Sequence, residues 1–176
     1  MKKIKLIIFD WDDVITLGSK EGYFKCYHQT LKDLNVSLKP LEEKKRILAK
    51  WGKPHREELR ELLKEKPKLL NRACEIYEKK LFGNTFVDCL KLINGAREIL
   101  KRLHKNYILT VATGMHPRIL KNRVIPKFKI PCVFSQVIST YDIKNPKRQK
   151  PHPFIAQKIL KKTPASTPGS CAGRGC

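Results

Sequence analysis

Three carboxylates occupy four consecutive positions, Asp10-Trp11-Asp12-Asp13, directly after the apolar run Ile4-Lys5-Leu6-Ile7-Ile8-Phe9. Adjacent carboxylates repel one another and lose hydration near a core, so a cluster of this kind needs a cation or protons. Asp10 and Asp12 delivered to one spot would make a nucleophile and an acid awaiting a metal ion. The plain alternative is a charged turn after an edge strand. A short, β-branched-rich apolar run reads as a strand buried on both faces. The residues just past it then stand at its carboxyl end, where open α/β sheets place their ligands.

Two further apolar runs end in polar residues. Tyr107-Ile108-Leu109-Thr110-Val111-Ala112 runs into Thr113-Gly114, and Cys132 to Thr140 forms a third strand pattern, with Lys150-Pro151-His152-Pro153 beyond it. Helical patterns lie between and after them: 96–103, with Ile99, Leu100 and Leu103 packed; a helix opened by Pro117; and 154–161. The β–α–β–α–β succession predicts a Rossmann-like parallel sheet with right-handed crossovers. Between the first strand and the next strand signal the pattern is helical. Phe24, Tyr27, Leu31 and Leu34 share one face, and helices follow over 41–50, over 55–65 with Leu59, Leu62 and Leu63 inward, and over 67–82. Four short helices with single apolar stripes form a small bundle inserted into the α/β chain. The expected organisation is a core from residues 1–16 and 91–162, a helical insertion over 17–90, and a disordered tail over 163–176.

With 41% hydrophobic and 31% charged residues, most of the 176-residue chain is expected to fold. No apolar run approaches membrane-spanning length, and the first strand reaches aspartate too soon for a secretory leader, so a cytoplasmic protein without membrane partners is expected. The six cysteines lack framework spacing and read mostly as small buried apolar groups. Lys and Arg outnumber Asp and Glu by 38 to 16, a net charge of +22. That excess attracts polyanions, yet the basic residues are spread along helix faces beside Glu, and no nucleic-acid-binding motif accompanies them. No specific nucleic acid partner is expected.

Taken in order, FDWDDV, ILTVATG and KPHP resemble the motifs of the haloacid dehalogenase-like hydrolase superfamily, and the helical insertion resembles the lid of its helical-cap, phosphoglycolate phosphatase-like subfamily. The likeness covers residues 4 to about 162. It implies an α/β fold with a cap and a Mg²⁺-dependent phosphatase of small phosphorylated metabolites. Asp10 would be the nucleophile, passing through an aspartyl-phosphate. Asp12 would protonate the leaving alcohol and then deprotonate the attacking water. Thr113 would donate its hydroxyl to a phosphoryl oxygen beside the backbone N–H groups of Trp11 and Gly114, and Lys150 would pair with Asp10 and the phosphate. Asp10 and the Asp12 carbonyl would hold the metal. Lys53 and His55, in Trp51-Gly52-Lys53-Pro54-His55, sit where related enzymes place substrate-selecting residues, although an interhelical turn is the simpler reading. His116 and Arg118 follow Thr113 closely enough to reach a phosphate.

The chain departs from that pattern twice. Asp13 replaces a glycine, and aspartate tolerates the backbone angles a turn needs there better than most residues. Asp142 is also the last acidic residue, so the carboxylates of the family's fourth motif have no counterpart after Lys150. The last strand is therefore expected to be missing. The first strand would keep one edge open, a route to self-association. The abrupt shift to Gly, Ala, Ser, Thr and Pro near Thr163 reads as a truncation or a change of reading frame. Two other functional readings stay open: a catalytically inactive remnant that binds, and a basic nucleic-acid-associated protein.

Overall fold

The computed structural model describes residues 5–163; the expected tail, with Cys171 and Cys176, lies outside the described residues. The chain divides into two compact units, one built from the chain up to Leu17 and from Leu92 onward, the other from Gly18–Lys91.

The first unit is a parallel three-stranded sheet in the order β1 (Leu6–Phe9), β4 (Ile108–Thr113), β5 (Phe134–Ser139). Register runs Leu6 opposite Ile108 through Phe9 opposite Val111, then Val111 opposite Val137 through Thr113 opposite Ser139. A bulge between Leu109 and Thr110 leaves Ser135 over, and its hydroxyl donates to the Leu109 carbonyl at 3.1 Å. β4 is buried at all six positions, as a central strand covered on both faces must be. β1 is only half-buried throughout, contrary to the expectation of burial on both faces, because it pairs with β4 on one side only among the described residues.

α6 (Ala96–His104) connects the sheet to the chain before it. It starts after Gly95, whose φ of +75° suits glycine, and carries Glu98 in its first turn and Lys101, Arg102 and His104 in its last, matching the helix dipole. Leu100 is buried, but Ile99 is 52% exposed and does not pack as its spacing suggested. Leu100→Ala is therefore expected to cost about 2–5 kcal/mol in a denaturant melt, while Ile99→Ala stays within about 0.5 kcal/mol of the parent. After β4 the helix opened by Pro117 is composite: α7 (Pro117–Ile119), a π turn over Leu120–Val124, then α8 (Ile125–Lys127). Pro126 has no N–H for the carbonyl four residues back, which accounts for the wider turn before it. α9 (Phe154–Lys162) lays Ile155 and Ile159 against Ala112, Ile138 and Ile143, with Leu6, Ile8 and Phe154 at the margin. Two further short strands, β2 (Thr16–Leu17) and β3 (Lys91–Leu92), pair as a separate ribbon.

The second unit comprises α1 (Ser19–Asp33), α2 (Pro40–Ala49), α3 (His55–Leu62), α4 (Leu70–Phe82) and the single turn α5 (Asn84–Val87). Tyr27, Leu31, Ile47, Leu59, Leu62, Tyr77 and Phe86 fill its interior. Arg46 of α2 reaches the Leu62 carbonyl at 3.2 Å and both Glu42 and Glu65, tying α2 to the end of α3. Gly22 has no room for a side chain, since a Cβ there would stand 2.8 Å from the Phe86 ring and 3.1 Å from its carbonyl. That close approach lets α1 lie against α5. No helix among the described residues is long and apolar enough to cross a membrane.

Candidate active site

The carboxyl ends of β1 and β4 lie side by side, because Phe9 pairs with Val111. Asp10 and Thr113 therefore leave neighbouring strands at the same end of the sheet. Lys150, far along the chain, reaches this point too: its Nζ lies 2.8 Å from Asp10 Oδ2. The other Asp10 oxygen, Oδ1, accepts the Trp11 backbone N–H at 2.8 Å. Both carboxylate oxygens are thus oriented, and the Asp10 side chain remains 47% exposed. Each oxygen has a second lone pair left for another partner.

The turn after Asp10 is held by its own backbone. Trp11 carbonyl accepts from Val14, Ile15 and Thr16, and Asp13 N–H donates to the Thr16 carbonyl at 2.8 Å. Asp13 adopts φ +60°, the left-handed conformation that its aspartate side chain was expected to tolerate. The Trp11 indole is fully buried, its ring 6.2 Å from that of Phe134. It anchors the turn from below.

Thr113 is also fully buried, and its Oγ1 accepts the Met115 N–H at 3.0 Å, which leaves the hydroxyl proton for another acceptor. Gly114 is half-buried beside it. His116 caps the short helix α7, its Nδ1 accepting the Arg118 N–H at 3.2 Å, and its ring packs edge-on against Tyr141 at 4.6 Å. Arg118 is exposed.

Sequence reasoning overlooked a set of residues bracing this end of the sheet. Ser139 Oγ donates to the Met115 carbonyl at 2.7 Å, and Thr140 Oγ1 donates to the Thr113 carbonyl at 3.3 Å. Asp142 closes a capping box by accepting the Ser139 N–H at 2.7 Å. Buried Gln149 donates to the Ile143 carbonyl at 3.0 Å and so fixes the chain next to Lys150. The Ser139-x-x-Asp142 spacing was a readable signal for the cap. Gln149 carried none.

Lys53 and His55 lie in the helical unit. Lys53 is half-buried in the turn of Gly52, whose φ is +82°. His55 is buried at the start of α3, stacked on Tyr77 at 5.2 Å, with Nε2 3.3 Å from Glu78 Oε1. Burial holds its imidazole below the usual range, and the Glu78 carboxylate opposes that in part. Its neighbour Glu58 is pushed up to about 8 by burial, against hydrogen bonds from Tyr27 and the Gly52 backbone. Trp51, 40% exposed, stacks on Phe24 at 5.8 Å and meets the edge of Tyr23.

The donor chemistry at Asp10 suits a hard cation. Asp10 offers a half-exposed carboxylate, and by the family likeness the Asp12 carbonyl would add a second oxygen. The described residues hold no group of three or more His, Cys, Asp or Glu that could bind a metal. Magnesium accepts one or two protein oxygens and keeps waters in its remaining positions, so this set fits Mg²⁺ with a largely aqueous shell.

Asp10 and Thr113 at neighbouring strand ends, with Lys150 paired to Asp10, bring residues from all three motifs to one end of the sheet. The family model for haloacid dehalogenase-like hydrolases matches residues 4–172. The chain belongs to the haloacid dehalogenase-like hydrolases. Among solved structures it is similar to a subfamily IA, variant 1 hydrolase of that superfamily from Geobacter sulfurreducens, at 26% identity and TM-score 0.60, covering 90% of this chain and 71% of that one. A protein described as a predicted phosphoglycolate phosphatase from Haemophilus somnus shares the fold at 20% identity and TM-score 0.68, with 92% and 72% covered. YfnB of Bacillus subtilis, described as a HAD-hydrolase and solved bound to magnesium, does so at 16% identity and TM-score 0.61, with 94% and 77% covered. None of the curated proteins matches the chain.

Proposed function

We propose that this hydrolase cleaves phosphate monoesters of small metabolites, with Mg²⁺ and through an aspartyl-phosphate on Asp10. The observation that carries the reading is the 2.8 Å pair between Lys150 Nζ and Asp10 Oδ2 beside the end of β4. A lysine there orients the attacking carboxylate and supplies positive charge for phosphoryl oxygens. Asp10 attacks phosphorus in line, the P–O bond to the alcohol breaks, and Asp12 gives the leaving oxygen its proton. Water then attacks the same phosphorus, Asp12 takes back a proton, inorganic phosphate leaves and Asp10 is restored. Thr113 Oγ1 donates to a phosphoryl oxygen, as does the Gly114 N–H, whereas the Trp11 N–H, which donates to Asp10 Oδ1 at 2.8 Å, would have to leave that oxygen to join them. Asp10 and the Asp12 carbonyl would hold Mg²⁺, which would supply neutralising charge for the phosphoryl group. Within the helical unit, the stacked His55 fixes the base of the Trp51–His55 turn.

Hydrolysis of p-nitrophenyl phosphate and of a panel of small phosphate esters, with and without MgCl₂, tests this. Turnover that needs Mg²⁺ and falls on the order of a hundredfold in Lys150→Ala supports the reading. Turnover untouched by Lys150→Ala overturns it. A second reading, phosphoryl binding without turnover, is favoured by the thin metal donor set at Asp10; it predicts phosphate binding by titration calorimetry and no product in any variant.

A further inference from the structure

The first unit has a second concave feature, separate from the Asp10 cluster, along the outer side of β5. A groove of about 320 Å³ runs beside Phe134–Ile138, flanked by Lys121 of the π turn and by Lys158 and Lys162 of α9. β5 pairs with β4 on one side, and no described strand lies against its other side. A strand left in that position presents backbone N–H and C=O groups to any extended chain laid along it. The one carboxylate among the lining residues, Asp142, is committed to the Ser139 N–H at 2.7 Å. With three lysines against this one carboxylate, the groove carries a net positive charge.

From the juxtaposition of an open strand edge with three lysines, we propose that this groove docks an acidic polypeptide in extended conformation, added to the sheet alongside β5. Spacing supports that occupant. Lys158 and Lys162 are four apart on one helix and stand about 5–6 Å apart at their Cβ atoms. Alternate residues of an extended strand recur every ~6.6 Å, close to that separation, so carboxylates at every second position meet successive lysines. The residues between them turn to the opposite face. Nucleic acid is the poorer match, because single strands bind through base stacking on exposed rings. The ring in the groove, Phe134, is instead engaged with Phe9 and Trp11, each at 6.2 Å.

The test is fluorescence anisotropy with a labelled hexapeptide of alternating Val and Glu, on the full chain at physiological salt. Because the net charge of +22 attracts any anion, the groove variant Lys121→Glu/Lys158→Glu/Lys162→Glu is compared with the equally charged control Lys44→Glu/Lys45→Glu/Lys50→Glu, whose lysines are exposed in and just after α2. The expected result is at least tenfold weaker binding in the groove variant, little change in the control, and loss of binding when alternate peptide nitrogens are methylated. Should the groove variant fail to fold by circular dichroism, Lys158→Gln/Lys162→Gln replaces it, with a threefold or larger loss expected. Equal weakening in groove and control variants, or binding indifferent to N-methylation, overturns the proposal. So does an oligothymidylate that binds more tightly than the peptide and is lost in the groove variant.

Discussion

Asp10→Asn is expected to abolish phosphate-ester turnover, by on the order of a thousandfold or more, while leaving the fold and its melting midpoint nearly unchanged. The amide keeps the shape of the carboxylate and can still accept the Trp11 N–H, which in the parent reaches Oδ1 at 2.8 Å. It cannot attack phosphorus, and it ends the charge pairing with Lys150. Asp10 is about half exposed, so that ion pair adds little to stability and its loss is tolerated. The measurement is steady-state hydrolysis of p-nitrophenyl phosphate in excess Mg²⁺ beside a thermal melt of both proteins. Retained turnover with an intact fold would remove Asp10 from its role. A collapse of the fold instead would show that the carboxylate is structural. Trapping phosphate on Asp10 in the parent by acid quench and peptide mass analysis gives a second, independent readout.

The helical unit is expected to lose stability as the solution becomes alkaline, and Glu58→Gln is expected to remove that loss. Glu58 is buried on α3, where it accepts from the Tyr27 hydroxyl of α1 and from the Gly52 backbone, with the like charge of Glu57 beside it. Burial raises its carboxyl from 4.5 to about 8. Between those two values the folded chain keeps a proton that the unfolded chain has released, so stability is fully present below pH 4.5. It declines as pH climbs through about 8, by about 5 kcal/mol. His55 acts in the opposite sense, since its lowered imidazole favours folding as pH rises toward 6.5. The difference between parent and Glu58→Gln isolates the glutamate. Urea melts from pH 5 to 9 should show a widening gap, with the glutamine variant more stable at the alkaline end. Parallel curves would rule the assignment out.

Much of this was legible in the residues because it depended on period and order. Leu59, Leu62 and Leu63 pointed inward at helical spacing, and β4 announced itself as a run with no polar interruption longer than Thr110. The Asp10–Lys150 pair was expected only from the likeness to the haloacid dehalogenase-like motifs, since nothing local marks Lys150 as Asp10's partner. What escaped was set by tertiary neighbours. Ile99 has the right spacing to pack yet finds solvent, because only Leu100 on that turn is buried. The isolated turn α5 follows from the close packing at Gly22, a contact no local pattern encodes. His55, offered by the sequence as a substrate contact beside the simpler reading of an interhelical turn, is a stacked interior ring in the fold, since Tyr77 and Glu78 come from another helix. Glu58 is a polar letter in a polar stretch, and only burial beside Tyr27 of another helix makes it titrate unusually.

The ribbon of β2 and β3 bears on how such a protein can change over generations. It sets the outgoing passage Thr16–Leu17 and the returning passage Lys91–Leu92 shoulder to shoulder. A segment whose two ends are tied together in this way can be exchanged for another of different length without pulling the surrounding strands out of register. Grafting a foreign insert between Leu17 and Lys91 is the laboratory version of such an exchange.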